Sequence, residues 1–491
     1  MKKVSLSIIC QRNIVAGETI PMNEKTVAEN KMGVMPVGKL VVTMSLPIII
    51  SMLVQALYNI VDSMFVSRIS QEAFNAVNLA FPAQNLMIGF ATGTAVGVNA
   101  LVSRALGAKD PDRANRVARN GVFLALCCYV IFLLFAIFGA RTFFAMQTTN
   151  ETVVAYGQQY LLIVCGLSFG IFGEVMFERL LTSTGKTIYT MISQGIGAIV
   201  NIVFDPICIF VLDMGVAGAA AATVLGQIVA CCIAIGFNVK KNHELKLSFR
   251  GFRPEGEIIR GISAIGVPSI IMVAVGSVMT YLYNIILYNF TTGVLYAQNV
   301  FGSYFKLNSL IFMPIFGLNN GVVPIIAYNY GAQKRERMMQ TVRIAVGFAA
   351  GLMAIGTLVF MLIPGPLLKI FIQNATDEEM ATMMRIGIPA LRIICTHFVM
   401  AAVSISFNAV FQALGKGTYA MITSICRQLV ILLPAAFVLA KIGMAVGNDN
   451  LVWLSFPIAE VASLIVSCML YRRLYKNVIC KVGANSAPQA A

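Results

Sequence analysis

The chain has 491 residues, of which 58% are hydrophobic and only 12% charged, with a mean hydropathy of +0.81. A soluble domain carries about a quarter charged residues and under half apolar ones, so this composition excludes a soluble enzyme and a disordered chain alike. The formal charge of +15 would suggest nucleic acid on a soluble face, but in a membrane chain its placement along the sequence matters more, and no nucleic-acid partner is expected.

A spanning helix takes roughly 20 apolar residues, and a window of about 19 residues predicts twelve such helices. The first six cover residues 40–67, 73–106, 116–140, 152–183, 187–212 and 215–239, and the second six cover 258–289, 294–330, 338–363, 379–414, 418–441 and 450–472. Runs such as 121–140 are continuous, unlike the ~10-residue alternating strands of a barrel. The expected fold is therefore an all-α polytopic membrane protein. Its parts are an N-terminal tail, 1–38, an N-lobe, 39–239, a polar linker, 240–257, a C-lobe, 258–472, and a C-terminal tail, 473–491. Residues 4–10 are too short an apolar stretch for a signal sequence; the first 38 residues read as a cytoplasmic tail or as a start codon assigned too early.

Charge sets the orientation. Placing both termini and the even-numbered connections on one side gathers most of the 36 Lys and Arg there, leaving only Arg68, Arg141, Lys369 and Lys441 opposite. The positive-inside rule makes that side cytoplasmic, in a bacterial inner membrane. The eleven Cys are scattered without a CxxC pair, which points to packing rather than to a metal or disulfide framework.

The two halves repeat. Gly97-Val98 with Gly107-Ala108 recurs as Gly321-Val322 with Gly331-Ala332, an offset of 224. Phe177, Gly185, Lys186, Tyr189, Met191 and Ile192 recur as Phe407, Gly415, Lys416, Tyr419, Met421 and Ile422, an offset of 230. An even number of spans separates the copies, so they insert in the same orientation about an axis along the membrane normal. Parallel repeats with a site between them are typical of secondary transporters, and two six-helix bundles around a V-shaped central cleft are expected. Pro47 and Pro268 are placed to kink the first helix of each.

Ionisable groups in hydrocarbon are costly and mark function by default. Asp62, Asp205 and Thr223 each fall six to eight residues from the outer end of their spans, ~9–12 Å deep at 1.5 Å per residue. Asn201 and Asp205, four apart, share a helix face, and Pro206 frees the Ile202 carbonyl. Such oxygens suit a small hard cation. A proton suits them equally, because low dielectric disfavours a charged carboxylate; the bland alternative is an Asn–Asp bond across a kink. Glu174 and Glu178 lie in the inner half of span 4, with Arg179 adjacent and expected to point elsewhere, and structural pairing there is as good a reading as substrate contact. Gln55, Asn59, Glu174, Glu178 and Lys306 are the candidate pocket residues. Glu460 is expected to pair with Arg392 or Arg427 inside one lobe, and His397 to be a satisfied core histidine.

The motif from Leu46-Pro47 to Asp62, residues 98–108, Asn201 to Pro206 followed by Gly215-Val216-Ala217-Gly218-Ala219-Ala220, and the copy at 321–332 together resemble the multidrug and toxic compound extrusion (MATE) family, on its MepA-like bacterial branch. The resemblance covers nearly all of the chain after residue 38. It implies a monomeric efflux antiporter, not an enzyme, that exchanges H⁺ or Na⁺ for amphipathic, often cationic drugs and needs no cofactor beyond the coupling ion. It also implies a coupling set of Asp62, Asn201, Asp205 and Thr223. A second branch of that family places coupling carboxylates in spans 7, 8 and 10, but no Asp or Glu occurs between Gly261 and Asn329 or between Ala381 and Leu414. Glu174 and Glu178 likewise have Ser404 and Asn408 at the matched positions. The alternative is a lipid-linked oligosaccharide flippase of related two-lobe fold, which calls for a cationic cavity. Neither a GxxxxGK[ST] loop nor an HExxH motif is present.

Overall fold

With no water in the bilayer core to satisfy free N–H and C=O groups, a spanning chain must bond its backbone internally, and in the computed structural model every regular element among the described residues is helical. Those residues are 29–66, 68–290, 294–369 and 377–483; most of the N-terminal tail and the last eight residues of the C-terminal tail lie outside them. From Lys31 onward the chain forms one compact unit.

The helices are α1 (Val37–Val66), α2 (Gln71–Gly107) and α3 (Pro111–Leu134, prolonged by a π-helical turn Phe135–Gly139 and Ala140–Ala145). Next come α4 (Glu151–Gly166, then Phe169–Ser183), α5 (Thr187–Pro206, ending in a π-helical turn Ile207–Val211) and α6 (Gly215–Lys241). The second half has α7 (Gly256–Phe290), α8 (Val294–Gly331), α9 (Arg335–Leu362), α10 (Asp377–Cys395, then Phe398–Ala413), α11 (Gly417–Ile425, a π-helical stretch Cys426–Leu432, then Leu433–Val446) and α12 (Ser455–Asn477). The ends agree with the sequence expectation to within about five residues. The breaks do not appear in that expectation: α4 bends by 40° and α10 by 48° at corresponding places. Among the described residues, ten helices are long and apolar enough to cross a membrane, and the two bent pairs, each counted as one span, bring the number to twelve.

Local signals start several helices. Ser70 accepts from the Ala73 amide at 3.0 Å, Asp110 from Arg113 at 2.9 Å ahead of Pro111, and Asn150 from Thr152 at 3.0 Å, each satisfying an otherwise orphaned N-terminal donor. The repeat shows in the turns as well. Lys109 and Gln333, 224 residues apart, both adopt left-handed backbone (φ 58° and 57°), and Gly185 and Gly415, 230 apart, have φ of 83° and 78°. The second pair needs glycine because no Cβ hinders that conformation.

Helices in lipid associate through close packing rather than hydrophobic burial, so small residues mark their contacts. The halves interlock reciprocally, α2 against α7 and α1 against α8, with α2 also crossing α8. A Cβ on Gly97 would lie 2.5 Å from the Ile262 carbonyl oxygen of α7, and one on Gly321 would lie 2.5 Å from Ser45 Oγ of α1. Ser45 Oγ donates to the Leu318 carbonyl at 3.2 Å, and Asn85 Nδ2 of α2 donates to Ser277 Oγ of α7 at 2.7 Å. This is the expected pseudo-two-fold arrangement. Pro47 lies inside α1, and the Thr43 carbonyl that it deprives of a helical donor accepts from Thr187 Oγ1 of α5 at 3.4 Å. Large apolar side chains such as Phe81, Phe138, Val211 and Leu362 remain exposed, as a chain solvated by lipid allows.

The end that carries the basic loops is tied by residues 32–35, just ahead of α1. Arg337 donates to the carbonyls of Met32 (3.2 Å) and Met35 (2.6 Å) and to Asn329 Oδ1 (3.2 Å), while Lys334 Nζ reaches the Gly33 carbonyl at 3.0 Å. The linker between the halves is likewise held: Asn115 accepts from the Lys246 amide at 2.7 Å, Asn120 from Glu255 at 2.9 Å, and Arg116 pairs with Glu255 at 3.8 Å.

Candidate functional site

The α5 helix inverts the usual pattern of a surface helix. Thr187, Thr190, Ser193, Gly197, Asn201 and Asp205 recur every three or four residues and are buried, whereas Ile188, Ile199 and Val203 face outward. Opposite this polar stripe stands α6. Gly197 and Gly226 pack reciprocally: a Cβ on Gly197 would lie 2.9 Å from the Gly226 carbonyl oxygen, and one on Gly226 would lie 2.7 Å from that of Gly197. That close approach lets side chains one turn further along meet. Asn201 Nδ2 donates to Thr223 Oγ1 at 3.4 Å and to Asp205 Oδ1 at 3.3 Å. Both bonds are long for N–H···O. Asp205 is fully buried and Asn201 is 3% exposed.

Three oxygens in this neighbourhood are buried without hydrogen-bond partners: Asp62 Oδ1, Asn201 Oδ1 and Asp205 Oδ2. Asp62 acts electrostatically on Asp205 and on Tyr58. Orphaned buried acceptors are uncommon and costly, and a set made wholly of oxygen fits a hard monovalent cation or a proton better than a soft metal. Among the described residues no group of three His, Cys, Asp or Glu side chains has metal-binding spacing.

Next to this group lies a cavity of about 190 Å³. Its wall brings together Gln55, Glu174, Glu178, Asn201 and Thr223 from α1, α4, α5 and α6. Glu178 Oε1 accepts from Ser193 Oγ at 2.9 Å. Neither Asp62 nor Asp205 lines the cavity; Asp205 reaches it through Asn201. The Asn59 side chain lies outside the described residues, and Lys306 is exposed on α8 and does not line the cavity. Arg179 corrects the sequence reading: it lines the same cavity as Glu174 and Glu178, because the second segment of α4 presents a wide arc of its surface there. Tyr58, Gln194, Gln227 and Asn320 also line it, none of them among the candidates named from the sequence. Gln227 follows Thr223 by one turn of α6, a spacing that the sequence does display.

Two bland readings hold. Arg427 Nη1 pairs with Glu460 Oε2 at 3.3 Å, while Arg392 Nε bonds the Met361 carbonyl at 3.3 Å. His397 is buried, with Nδ1 on the Ile394 carbonyl and its ring stacked on Phe456 at 5.9 Å. The described cysteines are unpaired thiols.

Two interlocked helical repeats, with a cavity that gathers buried polar and ionisable side chains mostly from the first, define a multi-pass membrane transporter. The MatE family model matches residues 47–207 and again residues 268–438, and the chain belongs to that family. The multidrug export protein MepA of Staphylococcus saprophyticus is 26% identical over 435 residues, covering 88% of this chain and 93% of that protein. MepA of Staphylococcus aureus is 24% identical over 444 residues, covering 89% and 95%. A solved outward-facing multidrug resistance MATE transporter of the MOP superfamily superposes with a TM-score of 0.86 at 26% identity, covering 93% of this chain and all of that one. A crystal structure of MATE in complex with MaL6 gives 0.86 at 25%, with the same coverage.

Proposed function

We propose that the chain is a secondary active efflux antiporter that exports amphipathic, often cationic organic compounds in exchange for H⁺ or Na⁺ by alternating access, with coupling at Asp62, Asn201, Asp205 and Thr223. The observation that carries this reading is the unbroken polar path from the cavity through Asn201 to Asp205 and Thr223, with three unpartnered oxygens beside it. A cation or proton bound there changes the charge next to the cavity wall. Cargo and coupling ion then favour different states, and a ligand shifts such an equilibrium only by its differential affinity. The names of the relatives speak of multidrug export; the amphipathic, often cationic class is what the family resemblance implies.

The same reading divides the chain into the tails, lobes and linker expected from sequence, as a monomer with both termini in the cytoplasm of a bacterium. The flippase alternative draws no support from the cavity, whose wall carries two carboxylates and one guanidinium, and Arg427 is engaged by Glu460. In proteoliposomes, Asp205→Asn should abolish gradient-driven ethidium efflux, and undiminished efflux would defeat the assignment. A matrix of pH and Na⁺ gradients on the unaltered chain then separates the two coupling ions.

A further inference from the structure

The start of α3 meets the polar linker in a basic elbow. Residues 109–119 and the linker, 240–257, together carry nine Lys and Arg against five Asp and Glu. Arg116, Arg119 and Lys246 line an open cavity of about 620 Å³ with Asp110, Asp112 and Asn115, so its formal charge is one positive. Asp110 is already engaged in capping α3, on the Arg113 amide, and Arg250 and Arg253 stand exposed in the adjoining linker. Hydrogen bonds hold the two walls together: Arg119 Nη1 donates to the Ser248 carbonyl at 3.2 Å, and the Lys246 amide to Asn115 at 2.7 Å. One turn further along α3, the Phe123 ring packs against Phe252 at 5.9 Å, and Phe252 meets Phe249 at 6.0 Å. Phe249 is 47% exposed. Spacings of three and four residues keep Arg119, Phe123, Leu126 and Val130 on one helix face, and Leu126 and Val130 are 57% and 42% exposed. A basic cavity therefore runs directly into an exposed apolar track.

We propose that this elbow binds an anionic phospholipid, its phosphate in the cavity with Arg119 and Lys246 and one acyl chain along Phe249, Phe123 and Leu126. Guanidinium and ammonium groups bind phosphate oxygens through charge-assisted hydrogen bonds, and basic pockets beside membrane helices hold anionic head groups. Aromatic rings favour the level where head groups meet chains. A free anion would use the cavity and leave the rings bare, whereas a lipid uses both in the order in which they occur. Bound there, it bridges α3 to the linker that joins the two halves, independently of coupling ion and cargo.

The test is native mass spectrometry of the full-length chain released from nanodiscs of equal phosphatidylcholine and phosphatidylglycerol. The chain should retain phosphatidylglycerol over phosphatidylcholine by about tenfold or more, since each basic group near an anionic head group is worth about fivefold. Arg119→Gln combined with Lys246→Gln should cut that preference to about twofold. Arg119→Lys combined with Lys246→Arg keeps both charges and should restore it, which separates loss of the site from misfolding. Arg472→Gln with Arg473→Gln removes two exposed charges from the end of α12 and should leave the preference intact. Equal retention of the two lipids, or a preference that the α12 variant lowers as far as the elbow variant does, would overturn the proposal. Displacement of the lipid by an equal concentration of sn-glycerol 3-phosphate would overturn it too, by marking a site for the free anion.

Discussion

Gly107 and Gly331, equivalent positions in the two repeats, are each pressed against the other's helix. A Cβ on Gly107 would lie 1.9 Å from the Tyr328 carbonyl oxygen of α8, and one on Gly331 would lie 2.1 Å from the Arg104 carbonyl oxygen of α2. The Arg104 guanidinium lies 4.6 Å from the centre of the Tyr330 ring and covers the same crossing. The obstacles are backbone atoms, which cannot swing aside as the end of a side chain can.

Gly107→Ala should therefore cost about 3 kcal/mol, the upper part of the range for overpacking. Gly195 of α5 has nothing within 4 Å of its missing Cβ, so Gly195→Ala should stabilise by about 0.5–1 kcal/mol through helix propensity. Thermal unfolding in detergent reads both, and equal effects from the two substitutions would contradict the close crossing.

Thr223→Val removes the hydroxyl that accepts from Asn201 at 3.4 Å while keeping the side-chain shape. We expect transport to fall by about fivefold, in line with one hydrogen bond of ~1 kcal/mol, and Thr223→Ser to restore it. Initial rates of dye efflux at fixed gradients decide the matter; a Ser variant as poor as Val would remove the hydroxyl from the mechanism.

Glu460→Ala leaves Arg427 without its partner in a site where the Glu460 side chain is 2% and that of Arg427 29% exposed. Breaking such a pair from one side costs about 3 kcal/mol, whereas replacing both members with apolar groups is often neutral or better. The double variant Arg427→Leu with Glu460→Met should thus recover most of the stability lost by Glu460→Ala, as measured by the unfolding midpoint.

Arg337→Ala frees two main-chain carbonyls near the start of the chain from their tether. Hydrogen exchange over residues 31–36 should then quicken by tenfold or more, consistent with loss of charge-assisted bonds worth about 1.5–3 kcal/mol, while exchange in α5 stays unchanged. Unaltered exchange at residues 31–36 would show that Lys334 and packing suffice to hold the segment.

Composition and periodicity determined the class of the molecule, because the bilayer admits few solutions: long apolar runs must be helices, and their count and basic connections follow from length and charge. The duplicated motifs Gly97 to Ala108 and Gly321 to Ala332 disclosed the repeat, since a backbone crossing that tolerates no Cβ must be written with glycine twice. The i, i+4 pair Asn201 and Asp205 was visible for the same one-dimensional reason. Tertiary packing alone decided that Thr223 meets Asn201, that Glu460 takes Arg427 rather than Arg392, and that Lys306 does not line the cavity. Arg179 and Gln227 joined the wall unannounced. Side-chain direction across helices depends on where α4 bends and on how closely α5 and α6 approach at Gly197 and Gly226, and those are properties of the assembled bundle that no single stretch of sequence encodes.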